Sequence, residues 1–231
     1  MRLEKYLVQC GVGSRREIKK FINDGKIKIN GTVVFDEGIQ IDEENDIVIF
    51  DDKKIEKKIL KYYVLYKKAG YVTSASDKKN PVVNDLLPQW VDKQALFPVG
   101  RLDKDTEGLL LFTNDGELNY KMTHPEKKFS KKYYAELSKI ISDEDIKKIE
   151  EGIDIGEKES CICLPAKIER AGEKSVYITI FEGKYHQVKR MMRAVGNRVI
   201  YLKRTEFGNL TLEGMNLGDV KEIKKEDIII D

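Results

Sequence analysis

The sequence predicts an α+β fold with a small N-terminal domain, residues 1–58, and a larger second domain, residues 59–231. Strand-like and helix-like segments follow one another without a regular strand-helix-strand repeat, which favours a mixed, mostly antiparallel sheet. With 41% hydrophobic and 35% charged residues, the 231-residue chain has the composition of a globular protein that buries a real core. The segment 51–58, DDKKIEKK, contains no apolar run, so we predict a linker there and a domain boundary near residue 58.

Basic charge is concentrated in two parts of the chain although the net charge is only +2. Residues 1–35 contain eight Lys or Arg and three acids, and residues 182–206 contain seven Lys or Arg and two acids. Residues 36–56 instead contain nine acids and two lysines. Clustered basic charge is typical of proteins that bind a polyanion, so we expect these acids to face away from the basic surface.

Cysteine and hydropathy patterns exclude several classes of protein. Cys10, Cys161 and Cys163 are too few for a disulfide framework, and with only two histidines in the chain we predict no metal site. The start, MRLEKYLVQCG, lacks the apolar stretch of a signal peptide, and no apolar run approaches the roughly 18–20 residues that span a bilayer. We therefore expect no membrane partner and a location in the reducing cytoplasm.

The first domain is predicted to contain two helices followed by a hairpin. Apolar residues from Leu3 to Cys10 recur at helical spacing, and Ser14-x-x-Glu17 has the form of a capping box that begins a second helix. Asn30-Gly31 is a strong hairpin signal, and a further strand is expected over Ile47–Phe50. From the residues alone, the basic side chains are either an ordinary solvated helix face or a binding surface.

A resemblance favours the binding surface. Arg2-Leu3-x-Lys5-Tyr6-Leu7, Gly13-Ser14-Arg15-Arg16 and Ile22-x-x-Gly25-Lys26-Ile27-x-Ile29-Asn30-Gly31 resemble an S4 RNA-binding domain over nearly its whole length. The resemblance implies contacts to RNA phosphates by eight side chains: Arg2, Lys5, Ser14, Arg15, Arg16, Lys19, Lys20 and Lys26. Contacts of this kind position a substrate more than they read its sequence.

Hydrophobic periodicity predicts the elements of the second domain. The predicted strands are Tyr62–Tyr66, Leu96–Val99, Leu109–Thr113, Lys131–Leu137, Ser175–Phe181 and two that begin at Val199 and Leu210. The predicted helices are Pro81–Leu87, Glu117–Thr123, one from the cap residue Ser142 to near Gly152, and Tyr185–Val195.

A charge-dense loop lies between the strands Leu96–Val99 and Leu109–Thr113. It begins at Gly100 and ends at Gly108, and within it lie Arg101, Asp103, Lys104, Asp105 and Glu107. A loop fixed by rigid strands is a common place for catalytic groups. From spacing alone, a polar connection whose charges pair with one another is an equally good interpretation.

The loop, Gly100-Arg101-Leu102-Asp103-Lys104-Asp105-Thr106-Glu107-Gly108-Leu109-Leu110, resembles the signature motif of the pseudouridine synthases of the RsuA and RluB/E/F group, which isomerise uridine in ribosomal RNA. The resemblance implies that Asp103 is the catalytic residue. It also implies that Tyr133, in the Lys-x-Tyr context of Lys131, is the active-site aromatic residue that stacks on uracil. Arg101 would fill the space that the target base leaves or hold a flanking phosphate.

Residues 182–192 resemble the third motif of the same group, and its basic partner to the catalytic aspartate corresponds to Lys189. On a helical wheel Lys189 lies at the border of an apolar stripe that contains Val188 and Met191. RNA contacts are expected on the opposite face, from His186, Arg190 and Arg193.

The implied reaction explains these residue types. It breaks the C1′–N1 bond of uridine and forms a C1′–C5 bond without external energy, so we expect no cofactor. A carboxylate either attacks C1′ or removes a sugar proton so that a glycal forms, and the sequence leaves both routes open. A carboxylate in a base pocket needs a compensating charge, which Lys189 would supply.

The expected function is therefore isomerisation of a uridine in ribosomal RNA by a monomer. The His-Gln-Val-Lys-Arg-Met form of residues 186–191 is closer to the small-subunit type, which favours 16S rRNA, free or in an assembling small subunit. Three alternatives remain: a large-subunit (23S rRNA) enzyme, a non-catalytic ribosome-assembly factor, and a metal-dependent nuclease that uses Asp103, Asp105 and Glu107.

Overall fold

The computed structural model describes residues 1–56, 59–74, 76–93, 95–156 and 159–229. The chain divides into two compact units, the first formed by Met1–Lys61, Asp92–Phe97 and Thr113–Gly116, and the second by Tyr62–Val91, Pro98–Phe112 and Glu117–Asp231. Helices and a mixed, mostly antiparallel sheet confirm the α+β prediction. The predicted boundary at residue 58 lies outside the described residues and stays a prediction.

The first unit contains two helices and a four-stranded sheet. The helices are α1 (Leu3–Gln9) and α2 (Arg15–Asn23). The strands are β1 (Ile27–Ile29), β2 (Thr32–Val33), β3 (Val48–Phe50) and β4 (Lys53–Lys54), in the order β2-β1-β3-β4. Leu3 and Leu7 of α1 are buried together with Ile18, Ile22 and Ile27, which confirms the predicted apolar face of the first helix.

Local chemistry explains two boundaries of this unit. The predicted capping box is present, since the Ser14 hydroxyl accepts from the Glu17 amide at 3.3 Å and the Glu17 carboxylate accepts from the Ser14 amide at 2.8 Å. Asn30 and Gly31, with φ of 50° and 84°, make the two-residue hairpin between β1 and β2. Both are left-handed, as the favoured hairpin turn requires.

The predicted linker is wrong over residues 51–56. Asp51 and Asp52 form a turn with φ of 46° and 61°, and β4 then pairs antiparallel with β3. The Ile55 amide continues the pairing by donating to the Val48 carbonyl at 2.8 Å. A two-residue strand that is exposed on both positions needs no apolar residue, so hydropathy could not reveal it. Lys57 and Lys58, the end of the predicted linker, lie outside the described residues.

The second unit is organised around a nine-stranded sheet. Its strands are β5 (Tyr62–Lys67), β6 (Phe97–Val99), β7 (Glu107–Thr113), β8 (Lys131–Leu137), β9 (Lys167–Gly172), β10 (Ser175–Ile180), β11 (Val199–Phe207), β12 (Leu210–Thr211) and β13 (Val220–Ile223). The order is β13-β5-β7-β11-β8-β10-β9, with β6 beside β7 and β12 beside β11. The predicted segments lacked β9 and β13, whose exposed residues give little apolar signal.

Three helices accompany this sheet: α3 (Gly116–Thr123), α4 (Asp143–Glu151) and α5 (Gln187–Ala194). The Ser142 cap and the end at Gly152 are as predicted. The helix expected from Pro81 is a short 3-10 turn, Val83–Leu86, and α5 begins two residues later than predicted because His186 has a φ of 49°. No helix in the described part of the chain is long and apolar enough to cross a membrane.

One glycine fixes how the strands meet beside the charged loop. Strands β7 and β11 are parallel neighbours, and Gly108 is paired with Arg204. With a φ of 116°, a Cβ on Gly108 would lie 2.2 Å from the Arg204 carbonyl oxygen. Only glycine fits this approach, so the last glycine of the signature motif is required by packing.

Candidate active site

A buried lysine, Lys67, binds the backbone of the charged loop between β6 and β7. Lys67 ends β5 with no exposed surface, and its ammonium donates to the carbonyl oxygens of Thr106 (2.8 Å) and Asp103 (3.1 Å), and also contacts that of Lys104 (3.4 Å). An ammonium has three donors and no acceptor, so it suits a loop whose carbonyls turn inward. Lys67 therefore fixes the backbone on both sides of Asp105.

The turn after β5 adds further anchors. The Thr73 hydroxyl donates to the Leu102 carbonyl at 2.8 Å and accepts from the Leu102 amide at 3.2 Å. The Gly70 amide donates to the Lys104 carbonyl at 2.7 Å. Leu102 and Lys104, the two neighbours of Asp103, are thus bound through their backbones, which leaves the Asp103 side chain little freedom of position.

Asp103 is the centre of a small charge network. Its carboxylate is 25% exposed and lies 2.9 Å from the Lys189 ammonium and 3.4 Å from Nε2 of His186. Lys189 also donates to the carboxylate of Asp105 at 2.6 Å. Because Lys189 comes from α5, the network joins this helix to the loop. The structure therefore brings together four residues that lie up to 86 positions apart in the sequence, and the contact of Asp103 with Lys189 is the one that the resemblance implied.

The network changes the pKa of its members. Burial acts to raise the pKa of Asp105, but the hydrogen bond and charge of Lys189 outweigh it and the pKa is lowered. Burial acts to lower the pKa of Lys189, yet its hydrogen bonds to Asp105 and Asp103 raise it. Burial lowers the pKa of Lys67 to about 8 despite the nearby acids. Lys189 thus stays a cation at neutral pH.

A pocket of about 600 Å³ lies next to Asp103. Its lining includes Arg101, Tyr133 and His186 of the predicted site, and also Lys131 and Arg204. Its volume is that of a pocket for a small organic group such as a nucleobase with its sugar.

The two adjacent tyrosines of β8 face opposite sides of the sheet, as strand geometry requires. Tyr133 is buried and lines the pocket. Tyr134 packs instead against Tyr177, with ring centroids 5.5 Å apart, and against Tyr201 at 6.3 Å. Of the two tyrosines, Tyr133 is the one that the resemblance selected.

Arg204 and Lys67 are site residues that the sequence reasoning missed, and Lys131 was noted only as part of a motif. Each had a signal. Lys67 continues an apolar strand run, and Arg204 falls at an inward position of β11, where the buried neighbours Leu202 and Phe207 lie. A cation at a core position of a strand is unusual enough to suggest a fixed partner.

The three acids of the nuclease alternative do not converge. Asp103 and Asp105 share Lys189, whereas Glu107 accepts a hydrogen bond from the Tyr201 hydroxyl at 2.6 Å. Among the described residues no group of three or more His, Cys, Asp or Glu side chains could hold a metal ion. The geometry therefore gives no support to the metal-dependent nuclease.

The basic surface of the first unit differs from the prediction. The acids were expected to face away, but Glu37 lies 2.8 Å from Lys19 and Asp51 lies 3.7 Å from Lys26. Arg15 is 3.4 Å from Glu4, and the Ser14 hydroxyl is engaged in the capping box. That prediction is wrong because the chain after the hairpin places Glu37 next to Lys19 of α2, and the turn between β3 and β4 places Asp51 next to Lys26.

Other predicted RNA-contact residues are distributed as follows. Arg16 and Lys20 are exposed on α2, and Arg193 is exposed on α5. Arg190 is partly buried, and its guanidinium donates to the Ile155 carbonyl at 2.6 Å, so part of its capacity is used within the chain. The RNA contacts of these residues, and of Arg2 and Lys5, stay predictions.

Two family models match this chain, one in its N-terminal part and one in the remainder. Residues 61–194 match the family model described as RNA pseudouridylate synthase, and residues 1–48 match the S4 domain. The ribosomal large subunit pseudouridine synthase B of Bacillus subtilis (strain 168) is 37% identical, over 98% of this chain and 93% of its own. The ribosomal small subunit pseudouridine synthase A of Vibrio parahaemolyticus is 34% identical, over 99% of this chain and 98% of its own.

A solved structure is similar to nearly the whole chain. The crystal structure of a pseudouridylate synthase, 32% identical in sequence, covers 98% of this chain and 97% of its own with a TM-score of 0.68.

Proposed function

We propose that this chain, which belongs to the RNA pseudouridylate synthase family and carries an S4 domain, converts one uridine of 16S ribosomal RNA into pseudouridine. The isomerase activity on RNA follows from the family. The choice of 16S rRNA, free or in an assembling small subunit, is our own inference, as are a monomeric enzyme and a cytoplasmic site of action.

The observation that carries the proposal is the fixed carboxylate of Asp103. It lies beside the pocket, bound to Lys189 at 2.9 Å, on a loop whose backbone is tied down on both sides. A carboxylate held in one position beside a cation is ready either to attack C1′ of a uridine or to remove a proton from the sugar. Both routes break the C1′–N1 bond, and the released base must turn until C5 faces C1′.

The remaining roles follow from position. The ring of Tyr133 lies on the pocket wall, where it can stack on the uracil. Arg101 is exposed and also lines the pocket, so it can enter the space that a flipped base vacates or hold a flanking phosphate. His186 lies 3.4 Å from Asp103, close enough to contact the nucleotide on which Asp103 acts.

The preference for 16S rRNA depends on residues 186–191. Their His-Gln-Val-Lys-Arg-Met form resembles the small-subunit enzymes, and two of these residues, His186 and Lys189, contact Asp103. The part of the chain that carries the resemblance is therefore in contact with the proposed catalytic group. A large-subunit substrate is the second candidate, since a relative named for the large subunit is 37% identical.

Mapping of pseudouridine tests both candidates. The wild type and Asp103→Asn are incubated with unmodified 16S rRNA, partly assembled small subunits and 23S rRNA, and RNA binding is measured for both proteins. We expect the wild type to modify one uridine of 16S rRNA and Asp103→Asn to bind without modifying any. Modification of 23S rRNA alone would select the large-subunit candidate. Tight binding without modification of either RNA would contradict the enzyme and favour a ribosome-assembly factor.

A further inference from the structure

Two cations flank Tyr133 on the wall of the pocket. In the antiparallel pairing of β8 with β11, Arg204 lies opposite Tyr133, so both side chains project from the same face of the sheet. Lys131 precedes Tyr133 by two residues and shares that face as well. Arg204 is 1% exposed, and all three residues line the pocket.

Neither cation forms an ion pair among the described residues, and the acid nearest in effect to Lys131, Glu182, is paired with Lys184. Arg204 Nε donates to the Leu109 carbonyl at 2.8 Å, and its guanidinium lies 4.7 Å from the centre of the Phe207 ring. The Lys131 ammonium donates to the Phe129 carbonyl at 2.9 Å and lies 5.4 Å from the same ring. Burial and the nearby charge of Arg204 lower the pKa of Lys131 to about 8. The charge of Glu182 acts in the opposite direction but does not outweigh them. Two buried cations without an ion-pair partner of their own are stabilised by an electron-rich ligand.

Unpartnered polar atoms point to the same place. In the described part of the chain, four buried side-chain atoms have no hydrogen-bond partner, and three belong to residues that line this pocket: Nη2 of Arg204, Oγ1 of Thr106 and Nδ1 of His124. Buried polar groups are normally satisfied, so a concentration of exceptions beside one pocket indicates that the pocket binds a polar ligand. The Nη2 group of Arg204 is a donor only and requires an acceptor atom.

We propose that Arg204 and Lys131 bind the carbonyl oxygens of the target uracil and stabilise the uracil anion that forms when the C1′–N1 bond breaks. This inference rests on the proposed function, because it requires a uridine in the pocket. It adds two catalytic contacts to Asp103, which acts on the sugar.

The chemistry of the base explains why cations are needed. On cleavage the electron pair of the C1′–N1 bond remains on N1, and the negative charge is shared by N1, both carbonyl oxygens and C5. Asp103 has either formed a bond to C1′ or taken the proton from C2′. An electron pair from C5 then forms the C5–C1′ bond. In the first route this displaces the carboxylate of Asp103 from C1′. In the second route the glycal regains its proton at C2′ as the bond forms. C5 finally loses its proton and N1 gains one, so atoms and charge balance in both routes.

The position of the cations favours the base over a phosphate as their ligand. Both flank the ring on which the uracil is proposed to stack, and Arg204 is almost fully buried. Phosphates remain with the sugar backbone near solvent, where the exposed Arg101 lies. Buried donors aimed at developing negative charge are the usual means by which enzymes stabilise an oxyanion.

The experiment compares single-turnover kinetics of Arg204→Lys and Lys131→Met on the RNA that contains the mapped uridine. Strand β11 supplies a matched control in Lys203→Met, since Lys203 lies on the other face, 5.6 Å from the Tyr134 ring. We expect the rate at saturating RNA to fall about 100-fold for Arg204→Lys and about 10-fold for Lys131→Met. RNA affinity and melting temperature should stay near wild type, and Lys203→Met should keep the wild-type rate.

A second substrate separates a chemical role from a structural one. In RNA with 5-fluorouridine at the target position, the fluorine withdraws electrons and stabilises the anion of the departing base. This anion therefore depends less on stabilisation by the protein. The rate of loss of 5-fluorouridine should therefore fall less than about 10-fold in Arg204→Lys. Equal losses on both substrates, or loss of affinity without loss of rate, would overturn the inference in favour of a structural or phosphate-binding role. A wild type that converts no uridine would instead contradict the proposed function.

Discussion

The two charge-rich regions of this protein are built in opposite ways. In the loop 101–107, the carboxylate of Asp103 is partly buried and shares its partner, because one lysine, Lys189, contacts both Asp103 and Asp105. On the first unit, basic residues are exposed and several carry a single neighbouring acid, as Lys19 does with Glu37. The first arrangement fixes the position of a reacting group, whereas the second forms a field that attracts RNA and weakens with salt. The difference implies that substitutions in the loop change the rate, and substitutions on the first unit change affinity.

Apart from Asp103 itself, the largest effect that tests this division is expected from Lys189→Met. Both Asp103 and Asp105 would lose their cation, and Asp103 would be left partly buried without compensation. We expect the single-turnover rate at saturating RNA to fall about 1,000-fold, with RNA affinity changed less than about 3-fold. Asp105→Asn is the matched control, because it removes the exposed partner of Lys189 and leaves the Asp103 pair, and it should lose much less. An equal loss in both variants would mean that the network acts as a whole.

A smaller loss of rate is expected from Lys67→Met. This side chain contacts no substrate but holds the backbone of Asp103 and Thr106. We expect about a 100-fold loss of rate from a misplaced carboxylate, because displacement of a reacting group by about 1 Å can cost that much. Lys68→Met, at the exposed next position, serves as the control. A Lys67→Met protein that keeps its fold and the wild-type rate would show that the loop does not need this anchor.

On the first unit, single substitutions should produce effects of a few-fold and only in affinity. Lys20→Ala is expected to weaken RNA binding and to reduce the slope of log affinity against log salt by about 0.7–0.9, the contribution of one phosphate contact. Lys19→Ala should lose less, since Glu37 already compensates its charge, and Glu37→Gln should strengthen binding. Binding titrations at several salt concentrations measure all three. A larger loss for Lys19→Ala than for Lys20→Ala would contradict the assignment of the ion pair.

The smallest effect concerns pH and stability. The pKa of Lys67 is lowered to about 8 in the folded protein, while the unfolded chain keeps the ordinary value of 10.5. Between these values the unfolded state binds more protons, so the free energy of unfolding should rise with pH. The cost of burying the charged ammonium is fully present below about pH 8 and is relieved above it. Denaturant unfolding of the wild type minus that of Lys67→Met isolates this change, and a difference that stays flat from pH 7.5 to 10 would exclude it.

Sequence reasoning was most successful where local chemistry decides. The Ser14 capping box, the Asn30-Gly31 hairpin and strand β8, over Lys131–Leu137, are as predicted because each depends on neighbouring residues alone. The exposed strands β4 and β13 were missed because they are held by backbone pairing at a sheet edge, which leaves no mark in hydropathy.

The candidate site was only partly predictable, because some of its residues act through contacts between distant parts of the chain. Asp103, Tyr133 and Lys189 were selected by a resemblance, and the structure places Asp103 and Tyr133 on one pocket and Lys189 in contact with Asp103. Lys67 and Arg204 act through contacts with residues 36 or more positions away, namely the Asp103 carbonyl and the Leu109 carbonyl. Such contacts exist only once the sheet has formed, and no local pattern encodes them.

The central claim is that Asp103 carries the chemistry while the first unit contributes binding. A single-turnover titration of RNA concentration with the wild type, Asp103→Asn and Lys20→Ala tests it most directly, because it gives the maximal rate and the half-saturating concentration for each protein. We expect Asp103→Asn to bind RNA and lose at least about 10,000-fold in maximal rate, and Lys20→Ala to keep the maximal rate and need more RNA. An Asp103→Asn protein that forms pseudouridine at the wild-type maximal rate would contradict the account.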